Sequence, residues 1–213
     1  MTGVGVFVKF PEPGKVKTRL AESVGAEKAC TLYTKMIDHV LDKTLRPSPY
    51  PYTFFCDPFR PEQDYRRFFS QGDYAIEMQE GKDLGERLLQ ASKRLLSRYS
   101  YALIIGTDCL DITPAILEEA SMGLLSGRDL ILGPAQDGGY YLIGVNRVRP
   151  ELFSGIEWSS SRVFDQTMNK AKGLNTHFLP MLSDIDTLDD LKTRAREKGG
   201  RVDGNAVLAN LVM

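Results

Sequence analysis

The chain has 213 residues, with 27 Lys and Arg against 28 Asp and Glu, a formal net charge of −1, 42% hydrophobic residues and 26% charged ones. That balance excludes a generally basic surface aimed at nucleic acid or anionic lipid, and the length suffices for one buried core, expected as a single domain over 1–213. Cys30, Cys56 and Cys109 are odd in number, far apart and without a CxxC pair, which argues against a disulfide framework or a zinc site and for reduced thiols.

Only "MTG" precedes the first apolar segment, and no apolar run approaches the ~18 residues of a membrane span. A soluble chain in the cytoplasm is therefore expected. "GVGVFVKF" reads as a short buried strand, followed by the Pro- and Gly-restricted loop "PEPGKVK". Leu32, Met36, Ile37, Val40 and Leu41 fall at helical spacing, which predicts one long helix over 18–45, stopped before "RPSPYP". "YTFFCD" then reads as a strand, "PEQDYRRFFSQ" as a short helix, "AIEMQ" as a strand and "DLGERLLQASKRLLSRY" as a helix. "YALIIGTD" is the clearest strand, ending in Asp108. "TPAILEEASMGLLSG" follows as a helix capped by Thr113, with Pro114 at its first position and Gly127 beyond its end.

"DLILGPA" is again a strand, "WSSSRVFDQTMNKAK" a helix, "LNTHFLPM" a strand, and "DIDTLDDLKTRAREKG" a helix capped by Thr187. Strands alternating with helices, and lacking strict polar alternation, define an α/β protein: a mostly parallel sheet covered on both faces. Functional residues in such a fold collect at the strand C-termini.

Three places carry chemistry. After the first strand, Lys9, Lys15, Lys17 and Arg19 surround a helix start beside Pro11, Pro13 and Gly14, a plausible cradle for phosphate. A solvated basic loop is the plain alternative. An ATPase P-loop is excluded, because Gly14-Lys15 is followed by Val16 and Thr18 comes two positions late. Asp108 lies at the tip of an apolar strand, where a carboxylate needs a partner, a hydrogen bond or a metal; a simple cap on the following loop would also account for it. A hard divalent cation uses one or two carboxylates plus phosphate oxygens, so a second carboxylate must come from elsewhere. Asp184 and Asp186, two apart, share a face of an extended stretch, whereas Asp189 and Asp190 read as helix-dipole decoration. Finally, Asp137 with Gly138 and Gly139 ends another strand, and Gly81 and Gly85 flank the turn before Leu88; plain turns would explain either pair.

Together "VKFPEPGKVKTRLA", "EGKDLGER", "GTDCLD", "LGPAQDGGYYLIG" and "DIDTLDDL" resemble, in that order and over nearly the whole chain, the rSAM/selenodomain-associated transferase 1 family. That family is similar to the nucleotide-diphospho-sugar transferases, which implies a three-layer α/β/α GT-A-type fold on a mostly parallel mixed sheet. One departure is Leu110, where the family usually has proline.

The resemblance implies a transferase that uses a nucleotide-activated donor with Mg²⁺ or Mn²⁺. Glycosyl transfer from a nucleotide sugar and nucleotidyl transfer to a phosphorylated small molecule both remain open. By resemblance Lys9, Pro11, Gly14, Lys17 and Arg19 hold the nucleotide phosphates, and the turn with Gly81, Asp83 and Gly85 lines the base or ribose. Asp108 and Asp186, with Asp184 as the competing ligand, bind the metal. Asp137, Gly138, Gly139 and Tyr140 face the acceptor, with Trp158 and Ser159 closing that side. Lys17, Arg19, Asp108 and Asp137 are the catalytic candidates, and Asp137 is a candidate base where a sugar hydroxyl attacks. His39 and His177 are expected to be structural. A homodimer is compatible with this reading. The reading from a different class is a catalytically silent nucleotide-binding module of the same fold.

Overall fold

The computed structural model describes residues 1–69 and 74–197. Short β-branched and aromatic runs form β1 (Thr2–Val8), β2 (Tyr52–Cys56), β3 (Ala75–Met78), β4 (Tyr101–Ile105), β5 (Leu130–Pro134), β6 (Tyr140–Val145) and β7 (Thr176–Phe178). They join in one sheet of order β3-β2-β1-β4-β6-β5-β7. Neighbours run parallel except β6, which is antiparallel to both β4 and β5.

Successive side chains of a strand point to opposite faces, so one apolar run supplies two cores. In β4, Leu103 and Ile105 face one core, and Ala102 and Ile104 face the other. The first core is covered by α1 (Thr18–Val24), α2 (Ala26–His39), α3 (Glu62–Phe68), α5 (Pro114–Leu125) and α7 (Leu188–Glu197), through residues such as Leu20, Met36, Tyr65, Leu117 and Leu191. The second lies under α4 (Leu84–Leu96), whose Leu88, Ala91 and Leu95 turn inward, and beside α6 (Val163–Lys170). Helices on both faces of a mixed, mostly parallel sheet make the expected three-layer α/β/α fold.

The helix predicted over 18–45 is three pieces. Gly25, at φ 87°, ends α1 and begins α2, and after His39 the chain widens into a π-helical turn over Val40–Leu45. The periodicity of Leu32 to Leu41 was real, but it said nothing about the glycine ahead of it. The helix expected from Trp158 begins only at Val163, because Ser159 adopts φ 64° and Ser160 Oγ donates to Glu157 O at 2.7 Å, holding the preceding residues in turns. The helix expected from Pro61 spans Glu62–Phe68; positions 70 and 71 of that stretch, and the end of the last helix beyond 197, lie outside the described residues.

From β1 the chain moves outward through β2 and β3, then returns to place β4 on the other side of β1. Such a reversal opens a crevice at the strands' C-terminal ends. The loop after β1 and the loop after β4 both empty into it.

Candidate functional site

The crevice is a cleft of about 810 Å³, walled by the ends of β1, β4 and β6, the start of α4 and the segment before α7. Beyond Val8 the chain leaves the sheet, and the loop 9–17 is held by a few contacts. Lys9 N donates to the buried Tyr33 hydroxyl at 3.0 Å, and Thr107 Oγ1 donates to the same hydroxyl at 3.2 Å, tying the β1 loop to the β4 loop. Burial pushes the Tyr33 phenol above its ordinary pKa, so it stays protonated.

Lys17 is the pivot. Its backbone is left-handed, φ 47° and ψ 46°, an uncommon state for a residue with a Cβ. This turns the side chain inward, where it is 4% exposed, and sets Nζ 2.6 Å from Asp108 Oδ1 and 2.8 Å from Asp186 Oδ1. Burial alone would lower the ammonium pKa; Asp108 and then Asp186 outweigh it, and the pKa is raised. Arg19 reaches the same cluster from solvent, with Nη1 3.9 Å from Asp186 Oδ2.

The two carboxylates arrive by different routes. Gly106 N still donates to Tyr141 O, after which the chain leaves the sheet, so Asp108 stands three residues past the end of β4. Ile185 is buried and donates its N–H to Asp108 O at 3.0 Å, which lays the 184–186 segment beside Asp108. Asp184 and Asp186, on either side of Ile185, both line the cleft, as their extended spacing predicts. Asp190 is more than dipole decoration: its Oδ2 accepts the N–H groups of Asp186 and Thr187 at 3.0 and 2.7 Å, while Thr187 Oγ1 accepts the N–H of Asp190. Asp184 is raised to about 7, first by burial, then by the charges of Asp108 and Asp137, with Lys17 acting against them.

Also in the cleft, Asp137 Oδ1 accepts Gly139 N at 2.9 Å. Gly138 has φ 89°, and a Cβ there would lie 2.1 Å from Ser161 O, so only glycine lets the two loops meet. Trp158 stands edge-on to Tyr140, ring centroids 6.4 Å apart, and a Cβ on Gly85 would strike its Nε1 at 2.5 Å.

Of the residues singled out from the sequence, Lys9, Lys17, Arg19, Asp108, Asp137, Gly139, Tyr140, Trp158, Ser159, Asp184 and Asp186 share this cleft. Pro11, Gly14, Gly81, Asp83, Gly85 and Gly138 are not in its wall. Gly14 is on the exposed outer turn, and Asp83 caps α4 by accepting Glu86 N at 2.8 Å. His39 Nε2 pairs with Leu110 O at 3.0 Å and His177 Nε2 with Glu119 at 2.8 Å, and neither lines the cleft.

Among the wall residues that escaped the sequence reading are Tyr33, Asp57, Gln79 and Arg87. Arg87 Nη1 donates to Asp57 Oδ2 at 2.9 Å, and Gln79 Nε2 donates to Phe55 O at 2.8 Å, bracing the ends of β2 and β3 against α4. Asp57 follows the tip of β2 much as Asp108 follows β4, and the same strand-tip rule would have found it.

Among the described residues no group of three or more His, Cys, Asp or Glu forms a ready-made metal cage. Asp108 and Asp186 nevertheless offer two hard oxygens already gathered about one ammonium, a donor set suited to Mg²⁺ or Mn²⁺, which complete their shells with water and phosphate oxygens. No helix among the described residues is long and apolar enough to cross a membrane.

Strand order, reversed β6 and the cleft at the switch point define the class, the nucleotide-diphospho-sugar transferase fold. A protein of Desulfovibrio desulfuricans G20, assigned by inference to those transferases, is 31% identical, with 99% of this chain and 94% of that one aligned and a TM-score of 0.89. The inositol-1-phosphate CTP transferase from T. maritima is similar in fold at 10% identity, covering 98% and 95% of the two chains with a TM-score of 0.61. Rv0371c from Mycobacterium tuberculosis H37Rv in complex with manganese aligns at 14% identity over 90% and 96%, TM-score 0.52. No curated protein matches. Residues 40–160 match the family described as "Uncharacterized protein conserved in bacteria (DUF2064)", and the chain belongs to that family.

Proposed function

We propose that the chain is a transferase acting on a nucleotide-activated donor with the help of Mg²⁺ or Mn²⁺, in the rSAM/selenodomain-associated transferase 1 branch, as one cytoplasmic domain over 1–213. The observation that carries this reading is the convergence of Asp108 and Asp186, distant in sequence, on one cation at the switch point. Lys9 and Arg19 stand beside them in the same wall. In this reading Lys9, Lys17 and Arg19 neutralise the donor phosphates, and Asp108 and Asp186 hold the metal with Asp184 beside them. When bound, the metal supplies charge stabilisation on phosphate oxygens. The remaining contribution of the chain is positioning and electrostatics, the main terms in phosphoryl-type transfer.

Asp137, Gly139, Tyr140, Trp158 and Ser159 line the same cleft and would orient the acceptor. The names of the Desulfovibrio, T. maritima and manganese-bound neighbours support a nucleotide, a phosphorylated acceptor and a divalent ion as ligands of this cleft.

A thermal-shift matrix of nucleoside triphosphates and nucleotide sugars, with and without Mg²⁺ or Mn²⁺, tests the reading. A ligand at ~100 times its Kd adds ~2.7 kcal/mol for one site. Release of pyrophosphate from a triphosphate would identify nucleotidyl transfer, and release of a nucleoside diphosphate would identify glycosyl transfer. Binding without turnover of any donor would favour a silent binding module. Absence of any nucleotide effect would refute both.

A further inference from the structure

Two non-glycine residues among those described have a left-handed backbone, Lys17 and Ser159, and both line the cleft. At Lys17 the consequence is specific. The Lys17 side chain is 4% exposed with its ammonium against both carboxylates, while the side chains of Asp108 and Asp186 are 48% and 39% exposed and line the cleft. A divalent ion bonded to the same oxygens at ~2.0–2.1 Å would stand within about 5 Å of Nζ. Two like charges that close, competing for the same lone pairs, cannot both be held well.

We propose that Lys17 is a stand-in cation: it keeps Asp108 and Asp186 together while no metal is bound, and it yields them when an anionic phosphate draws its ammonium away. This rests on the reading above that metal and nucleotide share the cleft, and adds an order to it. Metal alone is opposed by Lys17, and metal with phosphate is not. Lys17 is the cation that contacts both carboxylates, at 2.6 and 2.8 Å, and supplies most of the opposition. Lys15, in the same loop, turns to the ring of Phe59, with Nζ 5.2 Å from its centroid. Arg19 is 69% exposed and touches only the outer oxygen of Asp186. Removing Lys17 should therefore do more than remove one positive charge from the loop.

The experiment measures Mn²⁺ binding to the full chain without phosphate, by the loss of the free-ion electron paramagnetic resonance signal. Lys17→Met is expected to bind Mn²⁺ at least tenfold tighter than the unmodified protein, and Lys15→Met less than threefold tighter. Equal gains in the two variants, or none in Lys17→Met, would overturn the proposal.

A second measurement uses only the unmodified protein, so the proposal survives a variant that fails to fold. Melting is followed with Mg²⁺ alone, inorganic pyrophosphate alone and both. The stand-in role requires the joint shift to exceed the sum of the separate shifts; stabilisation by Mg²⁺ alone equal to the joint value refutes it and leaves the proposed transferase intact. No effect of metal in any arm, for protein or variants, overturns both.

Discussion

Asp190→Ala removes a single acceptor on which three donors converge. Its Oδ2 receives the N–H of Asp186 at 3.0 Å, the N–H of Thr187 at 2.7 Å and the Thr187 hydroxyl at 2.8 Å. Bonds to a charged acceptor contribute ~1.5–3 kcal/mol each when buried. Here the residues are only half-buried and water replaces part of what is lost. The loss of a helix cap, typically ~1 kcal/mol and up to ~2, is therefore the better guide. About 1.5 kcal/mol is expected, which lowers the melting temperature of a chain this size by roughly 3–6 °C.

The same backbone N–H groups aim Asp186 at Lys17, so Mn²⁺ binding in the presence of pyrophosphate should weaken several-fold as well. Asp190→Asn keeps an oxygen acceptor and should lose about half of the stability. Urea denaturation and metal titration of the three proteins decide it. If Asp190→Ala loses less than ~0.3 kcal/mol, within the range of ordinary surface substitutions, and binds metal normally, Asp190 does not position Asp186.

Three further outcomes are expected. Gly138→Ala forces a Cβ to 2.1 Å from Ser161 O at φ 89° and should cost about 2–3 kcal/mol, whereas Gly139→Ala, whose nearest neighbour is Asp137 Oδ1 at 3.2 Å, should cost less; equal losses in urea denaturation would contradict the packing argument. Burial raises the thiols of Cys30 and Cys56 and pushes Cys109 up to about 12, so at pH 8 a disulfide reagent should react far more slowly with native than with urea-unfolded protein; complete labelling of the native state within seconds would refute this. Asp184, at about 7 in the folded state against ~3.9 unfolded, binds its proton more tightly when folded. Its contribution to the stability of metal-free protein is complete below pH ~4 and lost as pH rises through about 7. Asp184→Asn should flatten that slope in denaturation measured from pH 4 to 8, and an unchanged slope would count against it.

Much of this arrangement is legible in the chain. Apolar runs such as "YALII" and "LILGP" gave the strands, and an aspartate following such a run marks the rim of the sheet, as Asp108 does. The Pro/Gly loop with its lysines is equally local, as are the caps at Thr113 and Thr187.

What stays hidden depends on contacts across the fold. The run "YYLIGV" has the same apolar character whether it lies parallel or antiparallel, and only its neighbours β4 and β5 fix its direction. Nothing near Lys17 in sequence says that its partners are Asp108 and Asp186. Arg87 and Gln79 read as ordinary polar residues of a helix and a strand end, and become wall residues only when α4 brings Arg87 against Asp57. The break at Gly25 was visible as a glycine, yet its helical flanks mask it.

Because β6 runs against its neighbours, both ends of the β5–β6 link lie on the rim of the cleft. That link is only residues 135–139, and it is stitched internally by Ala135 N to Gly139 O and Gly138 N to Ala135 O. A short stitched connection inherits the stiffness of the two strands it joins and has little room to change length. Variation among chains of this kind should therefore fall on 146–162, the longer passage that brings Trp158 against Tyr140.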